Sequence, residues 1–159
     1  MTRLPITRQG FQRIKGELEY MRKVELPKNV QAIAEARAHG DLSENAEFHA
    51  AKERQSIISA KMMELETILA SVEVIDPLPK TDGKVVFGCL VTVYDPGTEK
   101  ETQYQIVGNA ESDVALGKIS ISSPLAQALI GREEGDEIKF QAPGGKRILE
   151  IVEITEAQP

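Results

Sequence analysis

Ala38-His39-Gly40-Asp41-Leu42-Ser43-Glu44-Asn45 places two carboxylates three residues apart in a turn between two long helical patterns. Upstream, Phe11, Ile14, Leu18 and Met21 recur at spacings of three and four, which marks one face of a helix. Downstream, Phe48, Ala51, Ile58, Met62, Leu65, Leu69 and Val72 fit one heptad register, interrupted by the polar Gln55. Two such seams joined by a few residues predict an antiparallel helical hairpin. Arms of about 30 residues would project roughly 45 Å at 1.5 Å per residue. The acidic turn is then the tip of a long probe.

In chain order, Leu4-Pro5-Ile6-Thr7 reads as an extended lead-in, with Thr7 as helix cap. A first helix is expected from about Arg8 to Ala38, kinked near Glu25 because Pro27 removes a hydrogen bond and crowds the preceding turn. The apolar register shifts there, to Leu26, Val30 and Ile33, and Gly40 ends the helix. The second helix is expected from about Leu42 to Val74.

Beyond Asp76-Pro77-Leu78-Pro79 the composition changes, and β-branched runs take over: Val85–Phe87, Leu90–Tyr94 and Thr102–Val107. Asp95-Pro96-Gly97 turns between two of them. Ser123, Pro124 and Gly131 bracket one short helix, and Pro143-Gly144-Gly145 turns a last hairpin. The expected architecture is α+β. Residues 1–77 form the hairpin, and residues 78–159 a small, mostly antiparallel β domain with one helix.

Composition bounds the function. The formal net charge is −6, of which −1 falls in residues 1–77 and −5 in residues 78–159. Avid duplex binding by phosphate neutralisation does not fit such a balance, so any nucleic-acid contact must be local. No apolar run approaches the 18 residues of a membrane span, and no signal-peptide pattern opens the chain. The single Cys89 allows neither an internal disulfide nor a cysteine zinc cluster, which suits a reducing cytoplasm. It lies in a strand run and reads as core. His39 and His49, ten residues apart, read as solvated residues rather than a zinc pair.

Two matches to a known family follow. Ala32 through Glu53, including His39-Gly40-Asp41-Leu42-Ser43-Glu44-Asn45-Ala46-Glu47-Phe48-His49, resembles the hairpin tip of bacterial transcript cleavage factors of the Gre family, GreA type. Ser120-Ile121-Ser122-Ser123-Pro124-Leu125-Ala126 through Gly135-Asp136 resembles the signature of that family's C-terminal, FKBP-like domain. Together the matches cover the whole chain. The resemblance implies an accessory factor, not itself an enzyme, that docks its globular domain at the rim of the secondary channel of RNA polymerase. The hairpin then enters the channel and stimulates cleavage of the 3′ end of backtracked RNA.

By the same resemblance Asp41 and Glu44 are the catalytic tip acids, sharing a Mg²⁺ ion with the polymerase and holding none stably alone. Arg37, Ser43 and Lys52 are the RNA-contacting positions, and Ile121, Ser122, Ser123 and Pro124 the docking turn. The implied partners are RNA polymerase and the nascent RNA end, with no membrane, for a cytoplasmic monomer. Three positions depart from the family pattern: Ser43 where lysine is frequent, Phe48 for tyrosine, and Lys52 for arginine.

The residue chemistry is compatible with that role. Carboxylates at i and i+3 of a helix start would lie about 5–6 Å apart. They would repel by about 1 kcal/mol in water. A helix N-terminus offsets roughly 0.3–1 kcal/mol for each. Mg²⁺ wants six oxygen ligands and this turn offers two carboxylates, so the tip suits half of a site that a partner completes. Asp-x-x-Glu is also a capping box, with Asp41 as cap and Glu44 reaching back, and both roles can coexist. The other functional readings are a channel-binding modulator that does not cleave, and a stand-alone prolyl isomerase. The second half offers four aromatics to an isomerase pocket: Phe87, Tyr94, Tyr104 and Phe140.

Overall fold

A computed structural model of the chain describes residues 3–40 and 45–157. They fall into two compact units, Phe11–Ser71 on one side and residues up to Gly10 together with those from Val72 on the other. Packing thus divides the chain at 10/11 and 71/72. The reason is a parallel ladder: β1 (Leu4–Thr7) pairs with β2 (Val72–Ile75), Leu4 opposite Val72 and Thr7 opposite Ile75. The lead-in strand is where the sequence places it. The second helix, however, stops at Ser71, and Val72–Ile75 is strand rather than the helix expected to Val74.

The first helix, α1 (Arg8–Tyr20), runs through a π-helical turn, Met21–Glu25, into α2 (Leu26–Ala38). The N–H of Leu26 bonds the carbonyl of Met21, five residues back. This wide turn lies just before Pro27, whose ring would crowd the Lys23 carbonyl in a regular α-helix. It also inserts one residue into the seam. Ile14 and Leu18 are buried, Met21 and Glu25 half-buried, and the next buried positions are Asn29, Ile33 and Ala36. Each of those three is one residue later than the heptad projects. The register shift read from the sequence is therefore present but misplaced, because Val30 is exposed and Asn29 takes the inner position. Asn29 Nδ2 donates to the Ala51 carbonyl at 3.0 Å, while its Oδ1 has no hydrogen-bond partner among the described residues. The returning α3 (Ala46–Ser71) buries Ala51, Ile58 and Leu65, one residue per heptad.

The other unit holds a five-stranded sheet in the order β5-β4-β3-β7-β6, from β3 (Leu90–Asp95), β4 (Lys100–Val107), β5 (Lys118–Ser120), β6 (Glu137–Ala142) and β7 (Gly145–Thr155). Its pairings are antiparallel except β4–β5, which is parallel, so the sheet is mixed. One face carries the core: Val91, Val93, Ile106, Ile119, Ile138, Leu149, Ile151 and Ile154 pack with Ala126 and Leu129 of α4 (Pro124–Leu129). A bulge between Thr92 and Val93 leaves Val152 outside the pairing, and inward spacing on β7 changes there from two residues to three. Cys89 is 2% exposed in this core, and burial pushes its thiol pKa up.

Candidate functional site

The hairpin end is built on the backbone groups that two helix termini leave unpaired. At the end of α2 the Ala36 carbonyl accepts the His39 N–H at 3.2 Å, and Gly40 follows at φ +123°. At the start of α3 the first helical bond runs from His49 N–H to the Asn45 carbonyl, and Asn45 Oδ1 accepts the Phe48 N–H at 3.0 Å. Asn45 is therefore the cap of α3. Its Nδ2 donates to the Ala36 carbonyl at 2.6 Å, which ties the two arms together.

Two side-chain pairs flank that tie. His39 Nδ1 lies 2.9 Å from Glu47 Oε2, and the Arg37 guanidinium sits 5.9 Å from the centroid of the Phe48 ring. Arg37 is in the last turn of α2 and exposed, as is Lys52 one and a half turns into α3, where its Nζ reaches Gln55 Oε1 at 3.2 Å. The predicted catalytic and metal residues Asp41 and Glu44, and Ser43 of the RNA-contacting set, lie outside the described residues. So does the capping box read on Asp41 and Glu44. Nothing in the sequence pattern singled out Asn45, although an Asn before an apolar-periodic run is a start signal.

The predicted docking turn is assembled in the β-containing unit. Ser123 caps α4, its Oγ accepting the Ala126 N–H at 3.2 Å, and Pro124 opens the helix. Ile121 is pinned twice, through its N–H to the Val107 carbonyl at 2.8 Å and its carbonyl to Gln127 Nε2 at 2.7 Å. Asn109 Oδ1 accepts the hydroxyl of Ser122 at 2.9 Å and that of Ser120. Ser120 Oγ in turn accepts the Ser122 N–H at 3.2 Å. Ser122 is exposed, whereas Ile121 and Ser123 are half-buried. Asn109, in the single-turn 3₁₀-helix Asn109–Glu111, is a support that no motif pointed to.

Family models match both parts of the chain. Residues 4–74 match "Transcription elongation factor, N-terminal", and residues 80–156 match "Transcription elongation factor, GreA/GreB, C-term". The chain belongs to the GreA/GreB family of transcription elongation factors. It is 52% identical over 154 residues to transcription elongation factor GreA of Cereibacter sphaeroides, covering 97% of this chain and 98% of that one. The corresponding protein of Brucella canis is 53% identical over 152 residues, covering 96% and 97%. Among solved structures, the GreA factor homolog Gfh1 of Thermus thermophilus is 29% identical at a TM-score of 0.43, covering 96% and 98%. Among the described residues no helix is long and apolar enough to cross a membrane.

Proposed function

We propose that this elongation factor binds RNA polymerase and stimulates the polymerase's own cleavage of backtracked nascent RNA, as a cytoplasmic accessory factor without nuclease activity of its own. The observation that carries this reading is the sequence position of Asp41 and Glu44, three residues apart between α2 and α3, in a chain of this family. Two carboxylates are hard oxygen donors that fit Mg²⁺, yet they fill two of its six positions. The polymerase would have to supply the rest. An ion held there would polarise a phosphate oxygen or activate a water, and the hairpin's part is to carry the acids to it. Arg37 and Lys52 are exposed cations on the two arms, suited to meeting an RNA phosphate near the tip.

The prolyl isomerase reading has less support. A cavity of ≈ 210 Å³ opens on the inner face of the sheet over Val93 and Leu149, but a single aromatic ring, Tyr104, lines it, and the Asp95–Arg147 ion pair occupies its rim.

The test is the double variant Asp41→Asn, Glu44→Gln. Asn45 already caps α3, so thermal stability should change by less than about 0.5 kcal/mol. Cleavage in a stalled elongation complex should fall by orders of magnitude while polymerase binding persists. Normal cleavage by the double variant would remove the tip acids from the mechanism. Binding without any cleavage by the natural protein would favour the modulator reading.

A further inference from the structure

We propose that Asn45 is a positioning residue for the tip acids. It sets the separation of the two arm ends, and it is joined directly to Glu44 in the chain. The proposal rests on the cleavage reading above.

The geometry is specific to this side chain. One amide oxygen caps α3 through the Phe48 N–H at 3.0 Å, and the same amide's nitrogen donates to the Ala36 carbonyl at 2.6 Å. Ala36 is 2% exposed and Asn45 half-buried, so solvent competes weakly for this pair. The bonded residues are nine positions apart in the sequence, and Asp41 and Glu44 fall between them.

Other residues would do half the task. Aspartate could cap but could not donate to Ala36, and serine could cap but is too short to span the arms. Glutamine could donate, but its longer chain makes a poor cap. The flanking His39–Glu47 pair is exposed on both sides, at 62% and 70%, and such pairs constrain little in water. Among the described residues, the half-buried hydrogen bond that joins the arms at this end is that of the Asn45 amide. Reactions that depend on placed groups lose roughly 100-fold for a displacement near 1 Å, so a small change in arm separation should be read at the ion rather than at the docking surface.

The test compares the full-length protein with Asn45→Ser, which keeps a cap oxygen and loses the cross-arm bond. Each is titrated onto a backtracked elongation complex to obtain the half-saturating factor concentration and the maximal cleavage rate. Asn45→Ser should lower the maximal rate about tenfold or more at an unchanged half-saturating concentration, and should need more Mg²⁺ to reach half its rate. An unchanged maximal rate overturns the proposal. So does a loss confined to half-saturation, because a merely destabilised hairpin lowers the concentration of competent protein and not its rate when bound.

A second measurement does not depend on cleavage. Nitroxides are placed at Ala38→Cys and Ala46→Cys with Cys89→Ala, and their dipolar broadening is recorded with Asn45 and with Asn45→Ser. A single narrow separation that broadens in Asn45→Ser supports the proposal, and identical spectra overturn it. Should the natural protein stimulate no cleavage, the functional reading fails, and the spectra alone decide the role of Asn45.

Discussion

The carboxylate of Glu111 accepts the backbone N–H of Thr7 at 2.8 Å, across 104 residues of sequence. It also accepts the Thr7 hydroxyl and the Gly108 N–H, the latter at 2.9 Å, and it is 2% exposed. Thr7 in turn caps α1 through the Gly10 N–H at 3.1 Å. The chain packs so closely here that a Cβ on Gly10 would lie 2.1 Å from Glu111 Oε1, and one on Gly108 would lie 2.2 Å from the Pro5 carbonyl oxygen. A buried carboxylate is tolerated because donors surround it. This network, with the β1–β2 ladder, fastens the N-terminal strand into the β-containing unit.

Glu111→Ala should therefore strand several buried donors and lower stability by about 3 kcal/mol. Glu111→Gln retains one acceptor oxygen for the two N–H groups and should lose about 1 kcal/mol. Urea unfolding of both variants checks the order. Equal losses would show that the charge, not the acceptor count, matters.

Asn109→Ala leaves the hydroxyls of Ser120 and Ser122 without their shared acceptor and should loosen the turn before α4. If that turn is the docking surface, polymerase affinity should drop about tenfold, or about 1.4 kcal/mol. The maximal cleavage rate at saturation should stay unchanged. Ser123→Glu with Pro124→Ala, which alters the turn itself, should weaken binding further. Equilibrium binding to polymerase, with circular dichroism to establish folding, distinguishes a lost surface from a lost fold.

Asn29 presents the opposite case, a buried amide oxygen with no partner among the described residues. Leaving such a group unpaired costs about 1–3 kcal/mol. Asn29→Leu has similar bulk, so it should stabilise the hairpin by roughly 1 kcal/mol or more and raise its melting temperature. A fall in melting temperature would mean that the Nδ2 bond to Ala51 outweighs the orphaned oxygen.

Asp95 carries the acid-sensitive contact. The Arg147 guanidinium, 2.7 Å from its Oδ2, holds its carboxyl below the usual range against the opposing effect of burial, and the N–H groups of Gly97 and Thr98 lower it further. Because the folded pKa is depressed, the stabilisation is present above the unfolded value of about 3.9 and is lost as pH falls through the lower folded value. Arg147→Met should therefore lower stability at neutral pH and flatten the pH dependence below about pH 4. Acid titration followed by circular dichroism would show it, and identical acid limbs would reject the assignment.

Much of this protein was legible in its sequence because local physics decides it. The three-four spacing of Phe11 to Met21, the heptad from Ala51 to Leu65, and the Ser123-Pro124 start with its Gly131 stop each act within a turn or two of chain. The alternation and turn residues of the β runs act over similar distances. Tertiary structure alone decided the features that depend on distant partners. Val72-Glu73-Val74-Ile75 continues an apolar helical seam as well as it makes a strand, and the backbone of Leu4–Thr7 settles the choice. Pro27 announced a disturbance, but only the π turn fixed its sense, adding one residue and bringing Asn29 inward where Val30 was expected. Glu111 reads as one more surface acid until Thr7 and Gly108 enclose it. Asn45 reads as the tail of an acidic motif until the end of α2 supplies the carbonyl that its amide joins, because a cap is written in neighbouring residues whereas a clamp needs both arms in place.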